Sequence, residues 1–368
     1  MKKVMVYAYT NFNLGDDLFI KILCERYPNT KFILSAPSEY KTLFKKVNNI
    51  SCFPSDQVIV RGINYIARKL KISNDIIGKF LANNCDAAIF IGGSLFIQSD
   101  NWKKSIEKTK SMRIKNRPFF LLGANFGPYK DKEYYLSHKE IFKEYTDICF
   151  RESASYDIFK DLSNVRMADD IIFQLNKQEV TQKQENGKNI VISVIKPSIR
   201  KHLSNYDEIY YRKIKDIVMY FTMKGYIVNL MSFCELEGDK EAIERIVNLI
   251  PEESLNMVNK HYYKLNIEET INLIKQSSFV VATRFHSMIL GWLFNKPVFP
   301  IVYSDKMTNV MKDIGFNGFY TNFHNIDTLE PKLVFDCTKT NLIDVSMQVQ
   351  SAIKQFEKLD KYLLELEN

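Results

Sequence analysis

An arginine and a histidine follow an apolar run late in the chain, and these two residue types are suited to chemistry on anions. Residues 279–283 read Phe-Val-Val-Ala-Thr, and Arg284, Phe285 and His286 come next. Arginine binds phosphate or carboxylate through a planar fork of donors, and histidine exchanges protons near neutral pH. In an extended backbone Arg284 and His286 would project to one side, at the start of a helix whose dipole favours anions. The segment predicts an anion site with an acid or base beside it, although a lone histidine here is more often structural.

Other residues that could bind an anion also follow apolar runs. Tyr303 and Lys306 come after residues 298–302 and either join the same anion site or cap the following helix. Arg151 follows residues 148–150, where it would contact phosphate or carboxylate or form a surface ion pair with Glu152. These positions matter because ligands of open α/β sheets bind beyond the carboxyl ends of the strands.

A turn near the start of the chain carries two adjacent carboxylates. Residues 13–17 read Asn-Leu-Gly-Asp-Asp and open a predicted helix over 17–27. Gly15 suits a tight turn, and Asn13 or Asp16 suits a helix N-cap. The alternative is functional, because Asp16 and Asp17 could orient or deprotonate hydroxyls of an acceptor substrate.

A glycine pair ends a later apolar run and allows close approach of a ligand to the backbone. Gly92 and Gly93 follow residues 87–91, and a second turn of small residues spans 123–128. Each segment can equally be interpreted as a simple tight turn without a ligand contact. Neither turn matches a dinucleotide-binding or Walker A motif, so nucleotide hydrolysis is not expected.

Composition and spacing argue against several classes of protein. The five histidines lie far apart without metal-ligand spacing, so we expect no metal and no cofactor. The six cysteines form no CxxC pair and are interpreted as reduced thiols of a cytoplasmic protein. The net charge of +8 accompanies no nucleic-acid-binding motif, so no nucleic-acid partner is expected. Charged residues interrupt the longest apolar region, 278–303, which excludes a membrane span there.

The elements that must position these residues alternate between short apolar runs and longer polar segments, which is typical of parallel α/β sheets. Strands are predicted over 4–9, 31–35, 50–53, 87–91, 119–123, 148–151, 165–167, 190–195, 226–231, 279–283 and 298–302. Helices are predicted over 211–224, 240–249 and 267–276. The polar segment 176–188 is the predicted linker between Rossmann-like domains at 1–175 and 189–343, followed by a C-terminal helix over 344–368. We expect two doubly wound domains that face each other across a cleft.

Taken in order, these motifs resemble those of the polysaccharide pyruvyl transferase family. The resemblance rests on the turn at 13–17, Gly92-Gly93, the Arg-Glu-x-Ser element at 151, Arg284-x-His286 and Tyr303-x-x-Lys306. One departure is Asp169-Asp170, where relatives tend to have Asp-Pro, so no role is carried over to Asp169.

The resemblance implies a fold similar to GT-B glycosyltransferases and an enzyme that moves the pyruvyl group of phosphoenolpyruvate onto two sugar hydroxyls as a cyclic ketal. It implies phosphoenolpyruvate on the C-terminal domain, a surface-glycan precursor on the N-terminal domain, and a role in exopolysaccharide, capsule or cell-envelope biosynthesis. His286 would be the general acid or a phosphate ligand, and Asp16 or Asp17 would serve the acceptor. Arg151, Arg284 and Lys306 would bind the donor.

Two other functions stay open at this point. A GT-B nucleotide-sugar glycosyltransferase would also use glycine turns and cations, and a non-catalytic glycan-binding protein could descend from such an enzyme. A lipid-linked oligosaccharide acceptor would bring the protein to the inner face of the membrane. Residues 61–70 have the spacing of a helix that docks peripherally on a membrane, and also that of an ordinary amphipathic core helix, which is the preferred interpretation.

Overall fold

Two separate parallel sheets form from the alternating apolar and polar segments of the chain. The computed structural model describes residues 1–70, 75–176 and 187–364. The chain divides into two units, of which unit 1 comprises Met1–Thr10, Asp16–Gln174 and Gln350–Asn368 and unit 2 comprises Asn11–Gly15 and Leu175–Val349. Residues 11–15 were predicted within the N-terminal domain but group with unit 2. Most of the predicted linker, residues 177–186, lies outside the described residues.

Unit 1 is built on seven parallel strands. They are β1 (Lys3–Tyr7), β2 (Lys31–Ala36), β3 (Ile50–Pro54), β4 (Ala87–Ile91), β5 (Phe119–Ala124), β6 (Asp147–Phe150) and β7 (Val165–Met167). Their order is β3-β2-β1-β4-β5-β6-β7, which reverses direction between β1 and β4. All seven predicted strands are present, with bounds that differ from the prediction by at most two residues. The fully buried β5 lies within the core.

The helices of unit 1 fill the gaps between these strands. They are α1 (Leu14–Arg26), α2 (Tyr40–Leu43), α3 (Val58–Lys69), α4 (Ile76–Asn83), α5 (Trp102–Ser111), α6 (Lys132–Phe142) and α7 (Ser153–Phe159). Helix α1 begins three residues before the predicted start at residue 17. The Asn13 side chain accepts a hydrogen bond from the Gly15 N–H at 3.1 Å, which satisfies one of the free donors of the first turn.

Unit 2 contains a second parallel sheet. Its strands are β8 (Asn189–Ser193), β9 (Ile227–Met231), β10 (Val258–His261), β11 (Phe279–Ala282), β12 (Val298–Val302) and β13 (Thr321–Asn322), in the order β10-β9-β8-β11-β12-β13. The two edge strands β10 and β13 were not predicted. β10 reads Val-Asn-Lys-His and β13 has two residues, so neither has the apolar run that marks a buried strand.

The helices of unit 2 and of the C-terminus complete the fold. They are α8 (Asp207–Met223), α9 (Asp239–Val247), α10 (Ile267–Gln276), α11 (Phe285–Leu293), α12 (Asp305–Asp313), α13 (Pro331–Asp336), α14 (Ser346–Ala352) and α15 (Glu357–Leu364). The predicted C-terminal helix is interrupted, because a 3-10 turn over Ile353–Phe356 separates α14 from α15. In this turn the buried Gln355 side chain bonds the Gly123 N–H and the Ala168 carbonyl, so it joins the turn to unit 1.

No helix in the described part of the chain is both long and apolar enough to cross a membrane.

Candidate active site

In unit 2 the residues predicted for chemistry follow adjacent strands of the sheet. Arg284 lies between β11 and α11, and Tyr303 and Lys306 lie between β12 and the first turn of α12. β11 pairs with both β8 and β12, so the loops after these three strands are neighbours at one edge of the sheet. The structure therefore brings three of the predicted donor-binding positions to a common edge.

The expected extended geometry of Arg284 and His286 is wrong. Arg284 has extended backbone angles, but α11 begins at Phe285, so His286 is already the second helical residue. The Ser193 hydroxyl accepts hydrogen bonds from the N–H groups of Thr283 and Arg284, each at 3.1 Å, and holds this strand-to-helix turn.

Arg284 is 5% exposed and pairs with two carboxylates that follow β9. Its Nε donates to Asp239 Oδ2 at 3.0 Å, its Nη1 donates to Glu237 Oε2 at 2.6 Å, and its Nη2 also contacts Asp239. Burial opposes the charged guanidinium, but Asp239 and Glu237 outweigh it and hold the pKa of Arg284 well above its ordinary value. Arg284 therefore stays charged, and its strongest contacts are with protein carboxylates.

Asp239 and Glu237 are themselves fixed by the loop between β9 and α9. Asp239 Oδ2 accepts from the backbone N–H groups of Phe233 and Cys234 at 2.8 and 3.0 Å. Gly238 lies between the two carboxylates at φ +79°, a backbone conformation that favours glycine. The acidic pair thus holds Arg284 in one position.

Arg200, which the sequence analysis missed, extends this network toward Tyr303. Its Nη2 donates to the same Glu237 oxygen at 3.1 Å, and its guanidinium carbon lies 4.5 Å from the centre of the Tyr303 ring. Lys306 Nζ lies 5.3 Å from that ring centre. Burial raises the pKa of Tyr303, but Lys306, Arg200 and Arg284 outweigh burial and lower it to about 8. The ring thus lies in a strongly positive local potential.

Several polar atoms at this edge are buried without a hydrogen-bond partner among the described residues. They are Arg200 Nη1, Ser287 Oγ and Ser304 Oγ. The N-cap residues of α11 and α12, Arg284 and Ser304, make no side-chain capping bond. Helix N-termini and free guanidinium N–H groups bind anions. The edge thus combines positive potential with unused donors, as an anionic substrate requires.

His286 lies against Gly15, and both belong to unit 2. A Cβ at position 15 would lie 1.6 Å from His286 Nδ1. The segment is held by the Leu14 N–H, which donates to the Phe233 carbonyl at 3.0 Å, and by a bridge between Asn13 and Cys234. Asn13 and Gly15 therefore have structural roles, because the first fixes the turn and the second leaves room for the imidazole.

In unit 1 a second group of predicted residues comes together at the carboxyl ends of β4 to β6. The Gly93 N–H lies 3.4 Å from Asp16 Oδ1, and a Cβ on Gly93 would lie 2.7 Å from Arg151 Nη1. Gly92 has φ +153°, outside the range that other residues readily adopt. The glycine pair is thus required because Asp16 and Arg151 pack closely on it.

Arg151 forms a buried ion pair with Asp170. Its Nη1 donates to Asp170 Oδ2 at 2.8 Å, and both side chains are 1% exposed. Its Nη2 donates to Asn125 Oδ1 at 2.8 Å. The alternative of a surface ion pair with Glu152 is wrong as to the surface, because Arg151 and Glu152 are only 4% and 3% exposed. The Glu152 carboxylate accepts from the Ser155 hydroxyl at 2.7 Å. Asp170, noted as a departure from the family pattern, is thus the charge partner of Arg151.

The two carboxylates of the first turn differ in surroundings. Asp17 is fully buried, and its Oδ1 accepts from the Tyr40 hydroxyl at 2.7 Å. Asp16 is 9% exposed and lies at the Gly92-Gly93 turn. Asp16 is therefore better placed to reach a ligand at the sheet edge.

Two kinds of functional residue escaped the sequence analysis. Arg200 lies seven residues after the end of β8, and the rule that ligands bind at carboxyl ends of strands could have identified it. Glu237 and Asp239 had no local signal, because their role depends on Arg284, which is distant in sequence. In the described part of the chain no group of three His, Cys, Asp or Glu side chains is arranged to hold a metal ion.

Two doubly wound parallel sheets with strand-end sites define the class of two-domain α/β proteins with a GT-B-like fold. Solved structures agree in fold. Anabaena HepE (Alr3699) bound to UDP and glucose matches with a TM-score of 0.56 and 13% identity over 100% of both chains. S. aureus MnaA bound to UDP matches with a TM-score of 0.61 and 11% identity over 100% of this chain and 98% of that chain.

Sequence comparison then resolves the family within this fold. The polysaccharide pyruvyl transferase profile matches residues 13–305. The amylovoran biosynthesis protein AmsJ of Erwinia amylovora is 20% identical over 288 residues, covering 73% of this chain and 69% of that protein. The chain belongs to the polysaccharide pyruvyl transferase family and is thereby a transferase of polysaccharide modification.

Proposed function

We propose that the protein transfers the pyruvyl group of phosphoenolpyruvate onto two hydroxyls of a sugar and forms a cyclic ketal. The observation that carries this proposal is the positive edge of unit 2, where Tyr303 has a pKa lowered to about 8 and Arg200 Nη1 has no protein partner among the described residues. Phosphoenolpyruvate carries a phosphate and a carboxylate, so it needs clustered cations and free donors.

The proposed donor contacts differ from those expected from the sequence. Arg200 and Lys306 bind the anionic groups of phosphoenolpyruvate, together with the N-termini of α11 and α12. Arg284 acts as a positioning residue, because its guanidinium holds Glu237, which in turn orients Arg200. The Tyr303 ring lies beside both Arg200 and Lys306 and packs against these cations.

The proposed chemistry begins with proton transfer. His286, as imidazolium, donates a proton to the methylene carbon C3 of phosphoenolpyruvate, and C2 becomes an oxocarbenium-like centre. One sugar hydroxyl attacks C2 and loses its proton to a general base, a role for which the sequence predicts Asp16 or Asp17. Cleavage of the C2–O bond releases phosphate. The second hydroxyl attacks C2 and loses its proton to solvent, which completes a ketal bearing a methyl group and a carboxylate.

The acceptor and cellular setting are part of the same proposal. AmsJ is a protein of amylovoran biosynthesis, and we extend a role in exopolysaccharide or other surface-glycan biosynthesis to this chain. A cytoplasmic location would give access to phosphoenolpyruvate, and the six cysteines, all free thiols, are compatible with a reducing compartment.

The decisive experiment measures phosphate release from phosphoenolpyruvate in the presence of candidate sugar acceptors. We expect release that depends on the acceptor and that His286→Ala lowers about 100- to 10,000-fold, to a residual rate, with the fold intact. Unchanged turnover of His286→Ala would rule out the acid role.

Ligand-induced thermal stabilisation separates this proposal from a nucleotide-sugar glycosyltransferase. We expect phosphoenolpyruvate to raise the Tm of the protein. The Arg200→Gln variant should need at least a tenfold higher concentration of phosphoenolpyruvate for the same rise in Tm, which corresponds to a loss of about 1.4 kcal/mol of binding free energy. Arg245→Gln is the matched control, because the Arg245 side chain is 60% exposed. Stabilisation by a nucleotide sugar and none by phosphoenolpyruvate would overturn the proposal.

A further inference from the structure

Helix α3 of unit 1 exposes a row of large apolar side chains. Ile59 is 75% exposed, Ile63 41% and Ile66 58%, and Leu70, just beyond the helix, is 65% exposed. Their spacing of four, three and four residues places them on one face of the helix. Large apolar side chains grouped in this way mark an interaction surface, whereas single exposed ones are ordinary.

The helix packs onto unit 1 through a different face. Val60 is 7% exposed and Ala67 is 4% exposed, and these residues lie about a quarter turn around the helix from the apolar row. The Asn64 side chain accepts from the Ile76 N–H at 3.0 Å and donates to Asp75 at 3.1 Å, which ties α3 to the start of α4. The alternative of an ordinary amphipathic core helix is therefore wrong for Ile63, Ile66 and Leu70.

Helix α4 adds to this surface. Phe80 is 67% exposed, whereas Gly78 and Ala82 of the same helix are buried. Asp75 Oδ1 accepts from the Gly78 N–H at 2.9 Å and caps α4. A phenylalanine ring thus projects from a capped helix that is tied to α3.

The charge around this surface indicates its partner. Residues 57–84 contain five Lys or Arg residues and one acidic residue, Asp75, whose carboxylate is used in capping. Arg61 and Lys69 of α3 and Lys79 of α4 are exposed. Lys69 lies about a quarter turn from the apolar row, whereas Arg61 lies on the opposite side of the helix. An apolar face with a cation beside it, on a helix in the plane of the surface, is the pattern of binding to anionic lipid.

The position of α3 relative to the sheet of unit 1 also bears on the role of this surface. It follows the carboxyl end of β3, and the carboxyl ends of parallel strands share one edge of a sheet. That edge of unit 1 also carries Asp16 and the Gly92-Gly93 turn. The start of α3 therefore lies at the same edge of the unit 1 sheet as Asp16.

We propose that α3, with Leu70 and Phe80, docks unit 1 on an anionic lipid bilayer. The helix has 12 residues. At about 1.5 Å per residue it extends about 18 Å, too short to cross a bilayer, so it lies in the interface. Ile59, Ile66 and Leu70 enter the acyl boundary, and Lys69 contacts lipid phosphates. This surface goes beyond the transfer reaction and does not depend on the identity of the donor.

Vesicle co-sedimentation of the full chain tests the proposal. Vesicles of phosphatidylcholine with about 25 mol% phosphatidylglycerol should bind the protein, pure phosphatidylcholine should bind it less, and rising salt should release it. The variant Ile59→Glu/Ile66→Glu should lower binding at least tenfold and should leave phosphate release with a soluble acceptor unchanged.

The matched control is Met223→Glu/Met347→Glu, which makes the same charge change at residues 72% and 79% exposed on other helices. This variant should bind vesicles as the wild type does. No vesicle binding by the wild type, or an equal loss in the control, would overturn the proposal. Dimerisation that Ile59→Glu/Ile66→Glu abolishes, without vesicle binding by the wild type, would overturn it in favour of a second copy of the chain as the partner.

Discussion

Substitution of Gly15 by alanine tests directly whether the first turn serves His286. The new Cβ would lie 1.6 Å from His286 Nδ1, whereas ordinary contact begins at 3.4 Å, so the ring must move by about 1.8 Å (3.4 minus 1.6). The backbone at Gly15 is helical and does not require glycine. The substitution therefore acts on the position of the imidazole and little on the backbone.

The expected loss follows from this displacement. A misplacement of about 1 Å at a catalytic group costs on the order of 100-fold in rate, so Gly15→Ala should lower kcat/KM for phosphate release by at least about that factor. Stability should change little. The His286 side chain can rotate away, and alanine in a helix is favoured over glycine by up to about 1 kcal/mol.

A double-mutant cycle makes the prediction specific to His286. Phosphate release is measured for Gly15→Ala, His286→Ala and the double variant, with thermal unfolding as the fold control. If Gly15 acts through His286, alanine at position 15 should have little further effect once His286 is absent. Gly62→Ala is the matched control, because no atom lies within 4 Å of its new Cβ. Full activity of Gly15→Ala, or additive losses in the double variant, would refute the reasoning.

Two further predictions concern charge. The tyrosinate absorbance of Tyr303 should appear with a pKa of about 8. Arg200→Gln should raise this pKa because a nearby cation is lost, and bound phosphoenolpyruvate should raise it because it brings negative charge. A Tyr303 titration that neither change affects would contradict the positive site. Asp170→Ala should lower the free energy of unfolding by about 3–5 kcal/mol because it leaves Arg151 buried without its carboxylate. Asp157→Ala, which breaks a pair 59% exposed on both sides, should cost less than about 1 kcal/mol in the same denaturant titration.

Local sequence determined the secondary structure of the central strands. Runs such as 87–91 and 298–302 are apolar because a central parallel strand is buried on both faces. An uninterrupted apolar run is therefore enough to predict such a strand from the sequence. The positions of Arg151, Arg284, Tyr303 and Lys306 just after such runs followed from the same signal. The polar edge strand β10 was missed because one of its sides has no partner strand and burial no longer selects an apolar run.

Tertiary structure decided what these residues contact. Arg284 was predicted to bind a phosphate but pairs with Glu237 and Asp239, since these carboxylates reach it through the pairing of distant strands. In the same way Asp170 became the partner of Arg151. The spacing of residues 61–70 showed that one face of α3 is apolar, but only the exposure of Ile63, Ile66 and Leu70 in the structure revealed that this face does not pack on the core. Sequence spacing specifies which side chains share a face, whereas the rest of the fold determines what that face meets.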